Sequence, residues 1–410
     1  MKALGPPYAR PELRGRYLIR NRVKALAMTA IDAGLSLLPR RAVPAMAAPR
    51  RILLCNWAHL GDVVLTHPAV ERVRAAWPGA RIDFLTQTGS RQVVEAFTGI
   101  DRIHTLDHWN LSRTSLSVGQ KRARYLQDRR ALVAELASRR YDLAIDFYQH
   151  YPTAAFELWK AGIPVRVGYS SGGFSPLLTH ALDWSRDDRH VIERHGDLVN
   201  LIAPASRELS LVASYPPASP ETLAALNARG VPARYALLHT GTGGAFKEWP
   251  EEQWAELVSS LVARGWPLVL TGAGSRETER NRRLAAHDPS ILDLTGALNW
   301  AGFTALVANA DLLIGLDSVA SHLGAAFQVP TVSVRTGAVS NKVWGPLNAR
   351  ALAVTSPTPC APCHRTGCDT MDCIMRVTEA DVTSAIDRLS LPSAAPVAEP
   401  QSAPALRERR

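Results

Sequence analysis

The sequence predicts an α/β protein with two doubly wound domains, and three features of the chain carry this prediction. Short apolar runs typical of buried strands alternate with helical stretches from Arg51 onward, which favours parallel sheets with helices on both faces. The alternation stops at a Pro-rich break, 215–220, and begins again at Tyr235. The length of 410 residues suits two domains plus extensions. We expect the two domains to face a central cleft in which the carboxyl ends of both sheets share a ligand.

The predicted strands are bounded by turns that contain Gly, Pro or charged residues. In the first domain they span 52–57, 82–86, 102–106, 143–147 and 165–169, and in the second 236–240, 268–271, 292–294, 312–316 and 331–334. Predicted helices of the first domain include 63–76, 125–140 and 154–161. The resulting division is an N-terminal extension (1–50), an N-terminal domain (51–214), a C-terminal domain (221–389) and a tail (390–410) rich in Ala, Pro and Ser, which predicts disorder.

Charge and cysteine usage exclude some classes of function. Residues 1–51 contain eleven Lys and Arg and two acidic residues, whereas the rest of the chain contains 36 basic and 35 acidic residues. A nucleic-acid groove would need a positive excess on the folded domains, so we do not expect one. No apolar run is long enough to predict a transmembrane helix. Four of the five cysteines are crowded into 360–373, which favours reduced thiols in the cytoplasm over a secreted disulfide framework.

The N-terminal extension has the periodicity of an amphipathic helix over 14–38. Its predicted apolar face consists of Ile19, Val23, Leu26, Ala30, Gly34 and Leu37, and its basic stripe of Arg16, Arg20 and Lys24. Such a helix can lie in the headgroup region of an anionic membrane, so the inner-membrane surface is a predicted partner. Packing on the folded domains and a targeting role are the alternatives; the small residues at 45–47 resemble a cleavage site, although Asp32 interrupts the apolar run.

The first strand leads through a short turn into Gly61-Asp62 and an apolar helix. A ligand of a doubly wound domain binds at the carboxyl ends of its strands, so Asp62 is expected at the mouth of the cleft. A carboxylate there can act as a general base. Asp is also a favoured N-cap, so a purely structural role at the start of the helix is the alternative.

Two segments of the second domain are candidates for phosphate binding. The loop 239–250 combines three glycines with the hydroxyls of Thr240 and Thr242 and the charge of Lys247, which together could hold phosphate, although a plain flexible loop has the same composition. At Asp317-Ser318 a strand ends and a helix begins, so backbone N–H groups and the helix dipole can bind a diphosphate. Helix capping by Asp317 or Ser318 and a buried structural role for His322 are the alternatives.

The late cysteines have the spacing C-x2-C-x4-C-x4-C, formed by Cys360, Cys363, Cys368 and Cys373. Four thiols in so short a segment could bind zinc or an iron–sulfur cluster, form two tight disulfides or remain free. The last two intervals differ from the paired knuckles of a zinc ribbon. A structural metal at these four residues is therefore one prediction among three.

The ordered set of motifs resembles glycosyltransferase family 9, the ADP-heptose:lipopolysaccharide heptosyltransferase family. The resemblance covers about 51–389 and is carried by four features. They are Gly61-Asp62-Val63 with Thr66 and Pro68, Lys247 followed by Trp249-Pro250, Asp317-Ser318 with Ser321-His322-Leu323, and the cysteine cluster before Thr378. The resemblance implies a GT-B fold of two Rossmann-like domains and an inverting transfer from a nucleotide-sugar held mainly by the C-terminal domain.

The resemblance also implies roles for individual residues. Asp62 matches the catalytic base, and Thr242, Lys247 and the helix that starts at Ser318 match diphosphate-binding elements. His322 matches a nearby motif position, and Leu298 falls where the family places a residue against adenine. Val319 stands where the family usually has Gly, a departure that bears on the donor sugar.

Acceptor recognition in the family comes from the N-terminal domain. The basic residues Arg113, Arg122 and Arg124, together with Lys121, are candidates for contacting acidic sugars or phosphates of a lipid-linked acceptor. A solvated charged helix face is the alternative.

The sequence thus predicts a cytoplasmic enzyme at the inner membrane that transfers a heptose from ADP-heptose to a lipopolysaccharide core or similar glycolipid. The transfer requires no cofactor, apart from a possible structural metal at the cysteines. Two alternative functions are a GT-B-like nucleotide-sugar epimerase and a non-catalytic metal-binding protein that uses the cysteine cluster.

Overall fold

The computed structural model describes residues 17–19, 21–39, 48–112, 114–184, 188–203, 212, 214–365, 367–368, 370–389 and 391. Within them the chain forms two compact units that divide between residues 213 and 214. We call these the N-terminal unit and the C-terminal unit. The predicted disordered tail lies outside the described residues, apart from Leu391.

The N-terminal unit is built on a six-stranded parallel sheet. Its strands are β1 (Arg51–Cys55), β2 (Arg81–Thr86), β3 (Arg102–Thr105), β4 (Leu143–Asp146), β5 (Val165–Tyr169) and β6 (His180–Leu182). The strand order is β3-β2-β1-β4-β5-β6. The central strands β1 and β4 are almost wholly buried, as expected for a parallel sheet covered by helices on both faces.

In the described part of this unit, seven α-helices surround the sheet or connect its strands. They are α1 (Arg22–Leu35), α2 (Leu60–Val64), α3 (His67–Ala76), α4 (Arg91–Glu95), α5 (Val118–Arg139), α6 (Ala155–Lys160) and α7 (Val191–Asn200). The longest, α5, begins seven residues before its predicted start because Ser117 and Gln120 form a capping box that stabilises its first turn.

The C-terminal unit repeats the architecture with a second six-stranded parallel sheet. Its strands are β7 (Ala236–His239), β8 (Leu268–Thr271), β9 (Leu292–Asp293), β10 (Leu312–Leu316), β11 (Thr331–Val334) and β12 (Ala351–Val354), in the order β12-β11-β10-β7-β8-β9. Its helices are α8 (Pro220–Ala228), α9 (Glu251–Ala263), α10 (Ser275–Ala285), α11 (Trp300–Asn309), α12 (Val319–Ala326), α13 (Asn341–Trp344), α14 (Asp372–Met375) and α15 (Glu379–Arg388).

Each sheet has one point at which the chain changes direction across the strands. In the N-terminal unit β1 lies between β2 and β4, and in the C-terminal unit β7 lies between β8 and β10. The loops that leave the carboxyl ends of β1 and β4, or of β7 and β10, therefore diverge and leave a crevice between them. In doubly wound proteins ligands bind at this switch point.

The predicted α/β architecture is confirmed, with local differences. The helix predicted over 63–76 is two helices, α2 and α3, separated at Leu65 and Thr66. Pro68 is the reason: it has no N–H to donate to the carbonyl of Val64, so it begins a new helix instead of continuing the first. The sequence patterns also missed the strands β6 and β12, each of at most four residues.

Helix α1 is part of the N-terminal unit and is held on its inner side by a few specific contacts. Asp32 is buried, and its carboxylate accepts hydrogen bonds from Tyr17 Oη at 2.8 Å and from the Phe174 backbone N–H at 2.9 Å. Met28, one turn earlier on the same side, is buried against Gly173. Asp32, which interrupts the apolar sequence pattern, is thus the main polar anchor of this helix.

None of the helices in the described ranges combines the length and hydropathy needed to cross a membrane.

Candidate active site

The loop that follows β1 holds Asp62 in a defined position. The side-chain amide of the buried Asn56 donates to Thr66 Oγ1 at 2.7 Å, and its carbonyl oxygen accepts from the Ala58 N–H at 2.9 Å. The Thr66 hydroxyl donates in turn to the Asp62 carbonyl at 3.0 Å. These bonds fix the backbone on both sides of Asp62, whose side chain is half-buried.

Asp62 is not the cap of its helix. His59 occupies the N-cap position, without a side-chain capping bond, and Asp62 lies within the first turn of α2. The alternative interpretation of Asp62 as an N-cap is therefore wrong. A carboxylate in the first turn still interacts favourably with the N-terminal end of the helix.

A second carboxyl group, Asp146, lies at the carboxyl end of β4, directly across the switch point from β1. Its two oxygens accept backbone N–H bonds from Tyr148 at 3.1 Å and from Ala154 at 2.7 Å. Burial raises the pKa of Asp146 to about 7, although these two bonds lower it. Burial raises the pKa of Tyr148, and the negative charges of Asp62 and Asp146 raise it further. Both acids therefore lie near Tyr148. Asp146 therefore shapes the loop beside Asp62.

The basic residues proposed for acceptor binding have distinct surroundings on α5. The guanidinium of Arg122 stacks over the Trp109 ring at 4.3 Å, and Arg124 forms an exposed ion pair with Asp128 at 3.5 Å. Arg113 lies outside the described residues. Five residues beyond Arg124, Arg129 binds the buried Glu157 at 2.8 Å, an interaction that joins α5 to α6 and that the sequence patterns missed.

Three charged side chains converge at the switch point of the C-terminal unit. Lys247 Nζ lies 2.6 Å from one carboxylate oxygen of Asp317, and Arg335 Nη1 lies 2.8 Å from the other. Burial raises the pKa of the Asp317 carboxyl group, but Arg335 and then Lys247 oppose this effect, and the net result is a pKa well below its usual range. Asp317 is therefore ionised between two cations.

The three residues meet because of the order of the strands. Asp317 directly follows β10 and Arg335 directly follows β11, and the paired residues Leu316 and Val334 are the last of these two strands. Lys247 comes from the loop that leaves β7, the neighbour of β10 on its other side. Three adjacent strands thus deliver three charges to one edge of the sheet.

The loop after β7 is also fastened by polar contacts. The Thr242 hydroxyl donates to the Asp317 carbonyl at 3.1 Å. Thr240 is fully buried; its hydroxyl donates to Asn281 Oδ1 at 2.7 Å, and its carbonyl accepts from Arg280 Nη2 at 2.8 Å. Thr240 therefore fastens the loop to α10, which carries Asn281 and Arg280, whereas Thr242 lies beside the charge cluster.

Helix α12 begins immediately after Asp317 and provides the N–H groups of a helix start. Ser318 is its N-cap residue and makes no side-chain capping bond, and the buried Ser318 Oγ has no hydrogen-bond partner among the described residues. The alternative of a capping role for the Ser318 side chain is therefore wrong. Val319 is the first residue of the helix, and His322 is buried in its first turn, where its charge lowers the pKa of Asp317.

Leu298 lies at the same edge of the sheet but three strands away from β10. It is half-buried and precedes α11, whose N-cap is Asn299. It is not part of the charge cluster. Its position after β9 leaves it available to contact a different part of a ligand.

The metal site predicted at the cysteines is not supported. All five cysteines are free thiols, and the described residues contain no group of three or more His, Cys, Asp or Glu side chains that could hold a metal ion. Cys368 is exposed beside Thr370, whereas burial raises the pKa of Cys373, with Cys363 and Cys360 nearby. Cys368 and Cys373 therefore differ in environment.

The cysteine segment instead packs on the loop that follows β11. The backbone N–H groups of Cys363 and His364 donate to the carbonyls of Gly337 at 3.2 Å and Ala338 at 2.7 Å. A Cβ at Gly337 would lie 2.8 Å from Ala361 and 3.3 Å from Cys373, so the close approach requires glycine. This contact supports the loop that carries Arg335.

The sequence was compared with known protein families. The model of glycosyltransferase family 9, described as heptosyltransferase, matches residues 129–374, which is more than half of the chain. The chain belongs to glycosyltransferase family 9. It is therefore a glycosyltransferase enzyme, rather than the epimerase or the non-catalytic metal-binding protein considered as alternatives.

Individual relatives of this glycosyltransferase are lipopolysaccharide heptosyltransferases. Lipopolysaccharide heptosyltransferase 1 of Pseudomonas aeruginosa is 29% identical over 78% of this chain and 87% of its own length. Among solved structures, the ADP-heptose lipopolysaccharide heptosyltransferase II of Escherichia coli has a TM-score of 0.66 at 19% identity, over 83% of this chain and 98% of that one. E. coli heptosyltransferase WaaC with ADP has a TM-score of 0.63 at 21% identity, over 83% and 100%. These structures confirm the GT-B type of fold.

The sequence patterns did not identify two residues of the candidate site in this family 9 enzyme. Asp146 ends the apolar strand β4, and Arg335 directly follows the buried strand β11. The signal was a charged residue at the end of an apolar run. Its importance depends on which strands are neighbours, and neither periodicity nor spacing reveals the strand order.

Proposed function

We propose that this glycosyltransferase moves a heptose from ADP-heptose to the core of lipopolysaccharide or a similar glycolipid, with inversion at the anomeric carbon. The names of the relatives support heptose as the sugar and lipopolysaccharide as the acceptor. The structural observation that carries the proposal is the charge cluster of Lys247, Asp317 and Arg335 at the start of α12.

The charge cluster and α12 suit the diphosphate of the donor. Two cations and one carboxylate leave a net positive charge, and the N-terminal N–H groups of α12 add a partial positive charge beside it. When the bond from the sugar to the diphosphate breaks, negative charge develops on the leaving ADP, and Lys247 and α12 stabilise it there. This proposal includes no cofactor. Thr242, Ser318, Val319 and His322 border the same position, and we propose Leu298 for the adenine.

Asp62 supplies the general base. As the acceptor oxygen bonds to the anomeric carbon, its proton passes to the Asp62 carboxylate, and the carbon–oxygen bond to the diphosphate breaks with its electron pair leaving on ADP. The attack comes from the face opposite the leaving group, which inverts the configuration. A half-buried carboxylate at a fixed backbone position is suited to this proton transfer.

The acceptor is proposed to bind the N-terminal unit. Arg122 and Arg124 are both exposed on α5, and with Arg113 they provide positive charge for the acidic sugars and phosphates of a glycolipid. The stacking of Arg122 on Trp109 holds its guanidinium in one orientation.

The place of action is proposed to be the cytoplasmic face of the inner membrane, with α1 on the lipid surface. Val23 is 75% exposed, Leu26 71% and Leu37 86%. Val23 and Leu26 lie on the side of α1 opposite Met28 and Asp32, the residues that hold α1 on the N-terminal unit, and Leu37 follows the end of the helix. Arg22 is exposed on one flank of this apolar side, and Lys24 is exposed one turn before Met28; basic residues close to an apolar side are expected of an interfacial helix on anionic lipid.

A panel of nucleotide-sugars tests the donor. Purified full-length protein is heated with ADP-heptose, ADP, or a UDP- or GDP-sugar, and the unfolding temperature is measured. A ligand that binds only the folded state raises that temperature, so we expect ADP-heptose and ADP to raise it and the UDP- and GDP-sugars not to. A shift with UDP- or GDP-sugars in place of ADP compounds would contradict the proposed donor.

A further inference from the structure

Arg335 is a buried arginine whose position suggests a role in the use of the donor. It is 1% exposed, and it is held from two sides: Nη1 lies 2.8 Å from Asp317 Oδ1, and Nε donates to Asn341 Oδ1 at 2.8 Å. The two contacts fix the orientation of its guanidinium group beside Asp317. Lys247, on the other side of Asp317, has a side chain that is 27% exposed.

The charge of this group depends on Arg335. Asp317 and Lys247 alone would form a neutral ion pair, in which Lys247 must stay on the carboxylate to neutralise it. With Arg335 the group has a net charge of +1. Because a buried carboxylate that loses its partner is strongly destabilising, Lys247 can turn toward a ligand only if another cation remains on Asp317.

We propose that Arg335 is a positioning residue, which neutralises Asp317 so that Lys247 is available to the diphosphate of the nucleotide-sugar donor. This inference rests on the proposed function, since it takes a diphosphate as the ligand of Lys247. Arg335 itself stays on Asp317, and Lys247 exchanges the carboxylate for phosphate oxygen when the donor binds.

Binding of ADP to four variants, measured by calorimetry at pH 7.5, tests the role of Arg335. In Arg335→Gln, Lys247 is the remaining cation on Asp317 and stays paired with it, so we expect the affinity for ADP to fall about tenfold. Arg335→Lys keeps the charge and should stay within about threefold of the wild type. The double variant Asp317→Asn, Arg335→Gln removes the carboxylate as well, which frees Lys247, and should also return to within about threefold. Arg350→Gln, an exposed arginine of the same unit, is the matched control and should bind ADP as the wild type does.

The pH dependence separates this role from a merely structural one. Asp317 faces Lys247, Arg335 and His322, and Arg335→Gln removes the cation that most lowers its pKa. In Arg335→Gln, acid should protonate Asp317 and release Lys247. The ratio of the dissociation constants of Arg335→Gln and the wild type should therefore decrease toward one from pH 8 to pH 5. The ratio cancels the protonation of ADP, which both proteins share.

Several outcomes would overturn the inference. They are wild-type affinity in Arg335→Gln, a tenfold loss that the double variant does not restore, and a ratio that stays constant with pH. If Arg335→Gln fails to fold, as judged by circular dichroism, a tenfold loss in Arg335→Lys or in the double variant overturns it. If the wild type binds no ADP, both the proposed donor and this inference are wrong. If the wild type and every variant bind ADP with equal affinity, only the role of Arg335 is wrong.

Discussion

Two buried carboxyl groups at the ends of central strands show how neighbouring charge decides the state of a residue. The pKa of Asp146 is raised to about 7, first by burial and then by the negative charge of Glu157, and the two backbone N–H groups that donate to it oppose the rise only in part. Asp317 is similarly buried, but Arg335 and Lys247 hold its pKa below the usual range. The first residue organises a loop, and the second keeps a fixed negative charge between two cations.

The buried His67 gives a prediction about acid stability. It stacks on Phe97 with ring centroids 4.1 Å apart, and burial lowers its pKa to about 3. In the unfolded chain the pKa of His67 is near 6.5, so below this pH the unfolded chain binds a proton that the folded protein does not bind. The free energy of unfolding therefore decreases as the pH falls through 6.5. In His67→Phe we expect the slope of the free energy of unfolding against pH to be smaller by about 1.4 kcal/mol per pH unit below pH 6.

Chemical denaturation followed by circular dichroism between pH 7.5 and pH 5 measures this slope. Val70→Ala removes buried volume from the same helix without a titrating group, so it should lower stability equally at each pH. An unchanged slope in His67→Phe would show that His67 is not a source of the acid sensitivity.

At the scale of single residues, the sequence identified candidate residues where an apolar strand leads through a turn into a helix. Asp62, Asp317 and Ser318 were located in this way. Arg335 could not be, because its partner Asp317 is eighteen positions earlier and they meet only through the pairing of β10 with β11.

Helix α1 shows the same limit at the scale of an element. Periodicity predicted its apolar side and left open whether that side packs on the body or is exposed. The structure separates the two surfaces: Met28 and Asp32 hold the helix, and the predicted apolar residues Val23, Leu26 and Leu37 are exposed. The physical reason is that a buried aspartate with specific donors can anchor a helix by its polar side.

Vesicle binding tests the exposed side of α1. Full-length protein is floated with vesicles of phosphatidylglycerol or of phosphatidylcholine. We expect binding to the anionic vesicles that decreases with salt, and a loss of about tenfold or more in the double variant Val23→Ser, Leu26→Ser, because each apolar side chain contributes roughly 1 kcal/mol or more when buried in lipid.

A matched control is present in the same unit. Val118 is 58% exposed and Leu126 52% exposed on α5, so Val118→Ser, Leu126→Ser removes the same side chains from another helix. Wild-type binding is expected in this control. If the wild type ignores anionic vesicles, or if both double variants lose binding equally, α1 is not the lipid-binding surface.

At the scale of the whole molecule, the two units repeat one topology and place their candidate residues at equivalent points. Asp62 and Asp146 lie at the β1/β4 switch point, and Lys247 and Asp317 lie at the β7/β10 switch point. Alternation of strands and helices was enough to predict both sheets. It did not supply the edge strands β6 and β12.

The proposed function gives both units a part in one reaction, with the base in the N-terminal unit and the donor site in the C-terminal unit. The most direct measurement of this claim is heptose transfer from ADP-heptose to a lipopolysaccharide acceptor that lacks heptose, by the wild type, Asp62→Asn and the exposed-carboxylate control Glu95→Gln. We expect an inverted linkage from the wild type and the control. Asp62→Asn should lose about 10² to 10⁴ in turnover while its affinity for ADP is unchanged, because only proton removal is impaired. Wild-type turnover in Asp62→Asn, or a retained anomeric configuration, would contradict the account.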